Sequence, residues 1–185
     1  IKYVDLDKNG FIDTYDQMAI GGTENPEIVY GFGVNLRWKE LDFGAMFQGI
    51  GRTWRILSSN IMPASNKGSM YNIFDNYQDR WTVDNQSQDV FYPRADYGPN
   101  ANNSQKSTWW LRNMSFLRLK NLELGYSCPK KWLQGFVISN ARVFVRGTNL
   151  LTFSKFNLWD PELATGDGAK YPAMKSVSVG FDITF

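Results

Sequence analysis

Near the start of the chain, side-chain and backbone oxygens recur at the spacing that a hard divalent cation requires. Asp5, Asp7, Asn9, Phe11 (through its carbonyl), Asp13 and Asp16 occupy positions 1, 3, 5, 7, 9 and 12 of an EF-hand-type calcium loop. Gly10 sits where that loop turns sharply, and Ile12 is placed to pin it to the protein. Position 12 is Asp16 and not Glu, so its reach toward a bidentate contact is shorter. The same residues also suit an Asx-rich turn without metal. No helical pattern flanks the loop, so Ca²⁺ here would be structural and weakly held, with a Kd of roughly 10⁻⁴–10⁻³ M.

Other chemistry is thinly represented. The chain has no His, which excludes histidine-based triads, histidine zinc sites and imidazole proton shuttles. Cys128 is the one cysteine, so neither an intrachain disulfide nor a thiolate metal cluster can form. Twenty Lys and Arg against eighteen Asp and Glu leave a net charge of +2 with no clustering, so no nucleic-acid partner is expected. Asp75 and Asp79 resemble a glycosidase pair only in type, and no enzyme is expected. Between positions 52 and 111 lie Trp54, Tyr71, Phe74, Tyr77, Trp81, Phe91, Tyr92, Tyr97, Trp109 and Trp110 among many Asn, Gln and Ser. Of these, Trp81, Tyr92, Trp109 and Trp110 are candidates for stacking on a sugar or peptide ligand, since ring faces take apolar surfaces while amides satisfy polar groups. The same rings would equally pack the segment into an ordered lid.

The elements that must position these residues are strands. Gly, Pro and Asn interrupt any helical periodicity, and the fold class expected is all-β. Tyr30, Phe32, Val34, Leu36 and Trp38 alternate with Gly31, Gly33, Asn35 and Arg37. After the turn Lys39-Glu40, Leu41, Phe43, Ala45 and Phe47 alternate with Asp42, Gly44, Met46 and Gln48, completing a hairpin. Further strands are expected near Phe116 to Ser127, with a bulge at Lys120 and Asn121, at Ala141 to Leu150, and over the end of the chain, where Val177, Val179, Phe181, Ile183 and Phe185 share one face. Taken singly, each would suit a soluble sheet, and a secreted glycan-binding β-sandwich with structural calcium is the alternative reading. The connections favour a membrane barrel. They alternate short (Lys39-Glu40; Cys128 to Asn140) and long (Arg52 to Leu111; Leu151 to Met174), as do periplasmic turns and extracellular loops. Trp38, Tyr126, Trp132 and Phe185 then collect at the periplasmic side, where an aromatic girdle belongs. Five strands cannot close a barrel, so the rest must come from elsewhere. The opening at Ile1, without Met or a signal-type apolar run, reads as a piece of a longer protein.

The order of several motifs adds a family resemblance. The run Ser107-Thr-Trp-Trp-Leu-Arg-Asn-Met-Ser-Phe-Leu-Arg-Leu-Lys-Asn-Leu-Glu-Leu-Gly-Tyr126, the run Asn149-Leu-Leu-Thr-Phe-Ser-Lys-Phe-Asn-Leu-Trp-Asp-Pro-Glu162, Tyr171-Pro172, Arg80-Trp81, Pro93-Arg94 and the terminal Phe185 resemble the C-terminal part of SusC/RagA-type TonB-linked outer-membrane proteins. Asn113 departs from that pattern, where the family often has an acidic residue. The resemblance implies a 22-stranded barrel in the Gram-negative outer membrane, of which this chain is a fragment. It divides the chain into residues 1–27, an extracellular segment with the calcium-type loop; 28–51, a hairpin; 52–111, a long extracellular loop; and 112–185, the last three strands. The implied partners are the remainder of the barrel and its plug, a SusD-like lipoprotein, the TonB complex acting through the missing N-terminal part, membrane lipid, and an oligosaccharide or peptide substrate. An aromatic residue closing an alternating strand also resembles an assembly signal, a role that falls to Phe185.

Overall fold

In a computed structural model that describes residues 1–58, 61, 74–95, 100–135 and 137–185, the alternating segments form a five-stranded antiparallel sheet. Its strands are β1 (Ile28–Trp38), β2 (Leu41–Gly51), β5 (Phe116–Ser127), β6 (Asn140–Ser154) and β7 (Ser176–Thr184), in the spatial order β1-β2-β5-β6-β7. Each neighbour in space is the next of these strands in sequence, so the sheet is a meander with β1 and β7 at its edges. Two short strands, β3 (Trp54–Ile56) and β4 (Leu111–Asn113), pair in a separate sheet. A single helical turn, α1 (Lys130–Leu133), lies in the connection from β5 to β6.

Register follows the alternation. Phe32 pairs with Phe47, Leu36 with Phe43 and Trp38 with Leu41 across β1 and β2. Val143, Val145 and Gly147 meet Phe181, Val179 and Val177 across β6 and β7. One face of the sheet is therefore continuously apolar, and its side chains stay exposed: Phe32, Leu36, Trp38, Phe153, Val177, Val179 and Phe181 are each more than half accessible. A soluble sandwich would bury such a face against a second sheet.

The bulge appears where the phase of β5 slips. Met46 and Phe47 are consecutive on β2, but they pair with Asn121 and Leu119, leaving Lys120 as the extra residue. This is why the apolar positions change from Leu117 and Leu119 to Leu122, Leu124 and Tyr126. Opposite it, Asn149 takes a left-handed φ of +53° so that β6 can continue past the irregularity to Ser154, four residues beyond the expected end. At the short-turn end, the Ser127 amide donates to the Glu40 carbonyl (2.8 Å) and the Cys128 amide to Ala141 (2.7 Å), tying the two turns to the strand ends.

The chain divides into two compact units. One contains residues 1–24, 54–112 and 165–169; the other, holding the five-stranded sheet, contains 25–53, 113–164 and 170–185. Residues 165–169, which the sequence groups with the last strands, join the first unit through the Ser58 amide, which donates to the Gly166 carbonyl (2.9 Å).

Candidate functional site

In the first unit the Asp5–Asp16 loop closes on its own carboxylates. Gly10 has φ +87°, and its amide donates to Asp5 Oδ2 (2.8 Å). Asp7 accepts from Asn9 N (3.1 Å) and Nδ2 (2.9 Å), and Asn9 Oδ1 accepts from Phe11 N (2.8 Å). Asp13 caps the 3-10 turn Thr14–Asp16 by accepting from Tyr15 N (2.7 Å). Asp16 accepts from Leu6 N (2.7 Å) and Asp13 N (2.8 Å). Those bonds, the one from Asp13 foremost, hold its carboxyl below the usual carboxylate range, so it stays ionised, as a ligand must. Ile12 does not pin the loop: it is about half exposed, and Asp16 ties the two ends of the loop instead. Asp5, Asp7 and Asp16 each offer an oxygen within 4.8 Å of the others, and Asp5 Oδ1 is buried with no partner. These residues fit a hard cation, for which that orphaned oxygen would be a ligand.

The ring cluster of the same unit is anchored by its polar edges. Trp110 Nε1 donates to Asn103 O (2.8 Å) and Trp109 Nε1 to Phe91 O (3.1 Å). Phe91, Tyr92 and Trp110 meet edge-on at centroid distances of 4.6–6.4 Å. Arg112, whose guanidinium lies 4.8 Å from the Phe91 ring centroid, donates to the Trp109 carbonyl (2.6 Å), and burial lowers its pKa. Tyr92 and Trp110 are 1% exposed, and burial raises the Tyr92 phenol despite the contact from Asn76. Of the four candidate stacking residues, Trp81 and Trp109 are half-buried, and the Arg94 guanidinium lies 5.9 Å from the Trp81 ring centroid. Asp79 is occupied structurally, accepting from Phe91 N (3.1 Å) on its side chain and from Tyr92 N (2.9 Å) on its carbonyl. Tyr71 and Tyr97 lie outside the described residues.

In the second unit, the polar face of the sheet carries a cross-strand ion network. Arg142 on β6 donates to Asp42 on β2 (3.0 and 2.5 Å), to Glu123 on β5 (2.6 Å) and to Asp182 on β7 (3.3 Å). Arg146 takes the other oxygen of Glu123 (2.6 Å), and the Phe144 ring lies 5.0 and 5.3 Å from the two guanidinium groups. Arg142 reaches Asp42 only because Gly125 lies between them: a Cβ there would come within 2.4 Å of Arg142 Nη2 and 2.5 Å of Asp42 Oδ2. Toward the bulge, the fully buried Arg118 pairs with Asp160 and with Glu162 (2.9 Å), and Lys120 also holds Glu162 (2.7 Å). Beside the network, and sharing Asp42, Glu123 and Arg146 with it, a groove of about 930 Å³ is also lined by Gly31, Gly33, Asn35, Gly44 and Asn121.

The five-stranded meander has known counterparts. No family model matches the chain. A TonB-dependent receptor of Formosa agariphila is 32% identical over all of this chain, which covers 19% of that relative. The TonB-dependent receptor SusC of Bacteroides thetaiotaomicron is 24% identical over 99% of the chain, covering 17% of its length. The structure of the RagAB peptide transporter superposes with a TM-score of 0.74 at 32% identity, over 95% of this chain and 19% of the matched one. The chain belongs to the SusC/RagA-type TonB-dependent receptors. It spans about a fifth of the length of the curated relatives it matches.

Family membership places this receptor segment in the outer membrane and explains the two faces of its sheet. The exposed apolar face is the lipid-facing band of a transmembrane barrel, and the face with the ion network and groove looks inward. Phe185 follows β7 and is exposed. Reading the sequence alone misses the ion network and the Arg118 pair, because their members are distant in the chain. A signal for the latter exists: Arg118 and Lys120 are two residues apart, as are Asp160 and Glu162. The relatives are receptors and transporters, not enzymes.

Proposed function

We propose that this segment belongs to an energised outer-membrane importer of oligosaccharides or peptides that works with a SusD-like lipoprotein. The observation that supports this reading most is the pairing of a lipid-type apolar belt with a polar inner face, on a chain 32% identical to a RagAB peptide-transporter chain. Small residues along β1 and β2 leave the inner face open, as a route for polar solute requires. The plug, and coupling to TonB, would reside in the rest of the polypeptide. Disrupting the full-length gene should abolish uptake of either a fluorescent peptide mixture or a labelled oligosaccharide mixture. Unchanged uptake of both would reject the importer reading, and loss of only one would identify the substrate class.

The N-terminal loop supports a second role, as a structural Ca²⁺ site using Asp5, Asp7, Asn9, the Phe11 carbonyl, Asp13 and Asp16. Titration of the purified full-length receptor should detect binding with a Kd of roughly 10⁻⁴–10⁻³ M. Asp7→Ala should weaken it at least tenfold while the barrel keeps its heat-resistant migration on gels. Equal heats of binding for wild type and variant would leave the loop a metal-free Asx turn.

A further inference from the structure

The short-turn end of the sheet collects basic charge that no carboxylate among the described residues consumes. Lys39 in the β1–β2 turn and Lys130 and Lys131 in α1 are exposed, and the two turns contain a single acidic residue, Glu40. The contrast with the inner face is plain, since Arg142 and Arg146 there are both bonded to carboxylates. The lysines are accompanied by aromatic surface. Trp38 and Trp132 are 67% and 64% exposed, and Lys39 Nζ stands 4.9 Å from the centroid of the Trp38 ring. Lys39 also holds a left-handed φ of +55°, a conformation in which glycine or asparagine would be less strained. The turn thus keeps a lysine where backbone preference argues against one.

These residues lie where the apolar band ends. Trp38 pairs with Leu41, and Leu41 with Tyr126. Short turns of outer-membrane barrels are periplasmic, so this rim meets the inner, phospholipid leaflet. Tryptophan settles at the level of the headgroups, and lysine stems extend past it to place ammonium groups among phosphates. The geometry points to a docking surface for anionic phospholipid of the periplasmic leaflet, built from Trp38, Lys39, Lys130, Lys131 and Trp132. It rests on contact between lipid and the apolar face of the sheet, which the Val179→Arg comparison below tests separately.

The experiment uses the full-length receptor, released in a neutral detergent and titrated with dioleoyl phosphatidylglycerol or dioleoyl phosphatidylcholine, with bound lipid counted by native mass spectrometry. The wild type should retain phosphatidylglycerol preferentially. That preference should fall on the order of fivefold for each lysine neutralised, the effect of one basic group near an anionic surface, in the variant Lys39→Asn, Lys130→Gln, Lys131→Gln. Asparagine suits the left-handed backbone and the lysines are exposed, so assembly should be unaffected, as heat-modified gel migration will report. Neutralising Lys106, Lys155 and Lys170 instead should leave the preference intact. Millimolar inorganic phosphate should not compete if the acyl chains and the tryptophans contribute. A preference that survives the triple substitution, that falls equally in the control, or that free phosphate abolishes would overturn the proposal.

Discussion

Arg118→Ala should destabilise the assembled receptor by about 3 kcal/mol, near the lower end of the range for removing one partner of a buried ion pair. The Arg118 side chain is 2% exposed, bonds Asp160 and Glu162, and lies 5.4 Å from the Phe116 ring centroid. Its loss strands Asp160, itself only 14% exposed, whereas Glu162 keeps Lys120 at 2.7 Å. This asymmetry is why the lower end is expected. Asp160 also accepts from the Glu162 amide (3.0 Å) at the start of the 3-10 turn Pro161–Leu163. The stranded charge should therefore loosen the turn that follows the packed Phe156 and Trp159 rings, whose centroids are 4.9 Å apart. Urea unfolding of the full-length receptor measures the loss. The double variant Arg118→Met, Asp160→Asn should recover more than half of it, because no unpaired charge remains. A loss below about 1 kcal/mol would place the pair in the weak, solvent-screened class.

The second large effect is expected at Val179. This residue is near the middle of β7, pairs with Val145, and points outward with Val177, Phe181 and Ile183. Arginine there should cost roughly 2–4 kcal/mol, the penalty for a guanidinium facing lipid near the bilayer midplane. Arginine at the adjacent Ser178 faces inward opposite Arg146, whose charge is already matched by Glu123 at 2.6 Å. The penalty there should stay under about 1 kcal/mol, as for like charges across a solvated strand pair. Folding titrations into lipid vesicles compare the two variants directly, and equal penalties would mean that no bilayer contacts this face.

Much of the sheet was legible because β side chains alternate with period two and lipid demands apolar residues on one side only. Tyr30 to Trp38, Leu41 to Phe47 and Val177 to Ile183 could be assigned to faces directly, and the slip at Lys120 was visible as a change of phase. The convergence of Asp5, Asp7 and Asp16 was legible for another reason: these carboxylates lie within twelve positions of one another, so local spacing alone brings them together. The four-residue extension of β6 was not, because Thr152 and Phe153 join the ladder only through their partners Arg118 and Leu117. Nor were β3 and β4, each three residues long and too short to display a period.

The sequence by itself determined which residues face lipid, where the strands turn and where Asp5, Asp7 and Asp16 converge, since each depends on neighbours within about a dozen positions. Only the tertiary structure decided which charges meet. Arg142 reaches Asp42 across 100 positions, and Arg118 reaches Asp160 across 42. It likewise decided that Tyr92 and Trp110 are buried while Trp81 and Trp109 are half-buried. An ion pair or a buried ring depends on distances set by strand register and chain return, and one-dimensional spacing carries no record of those.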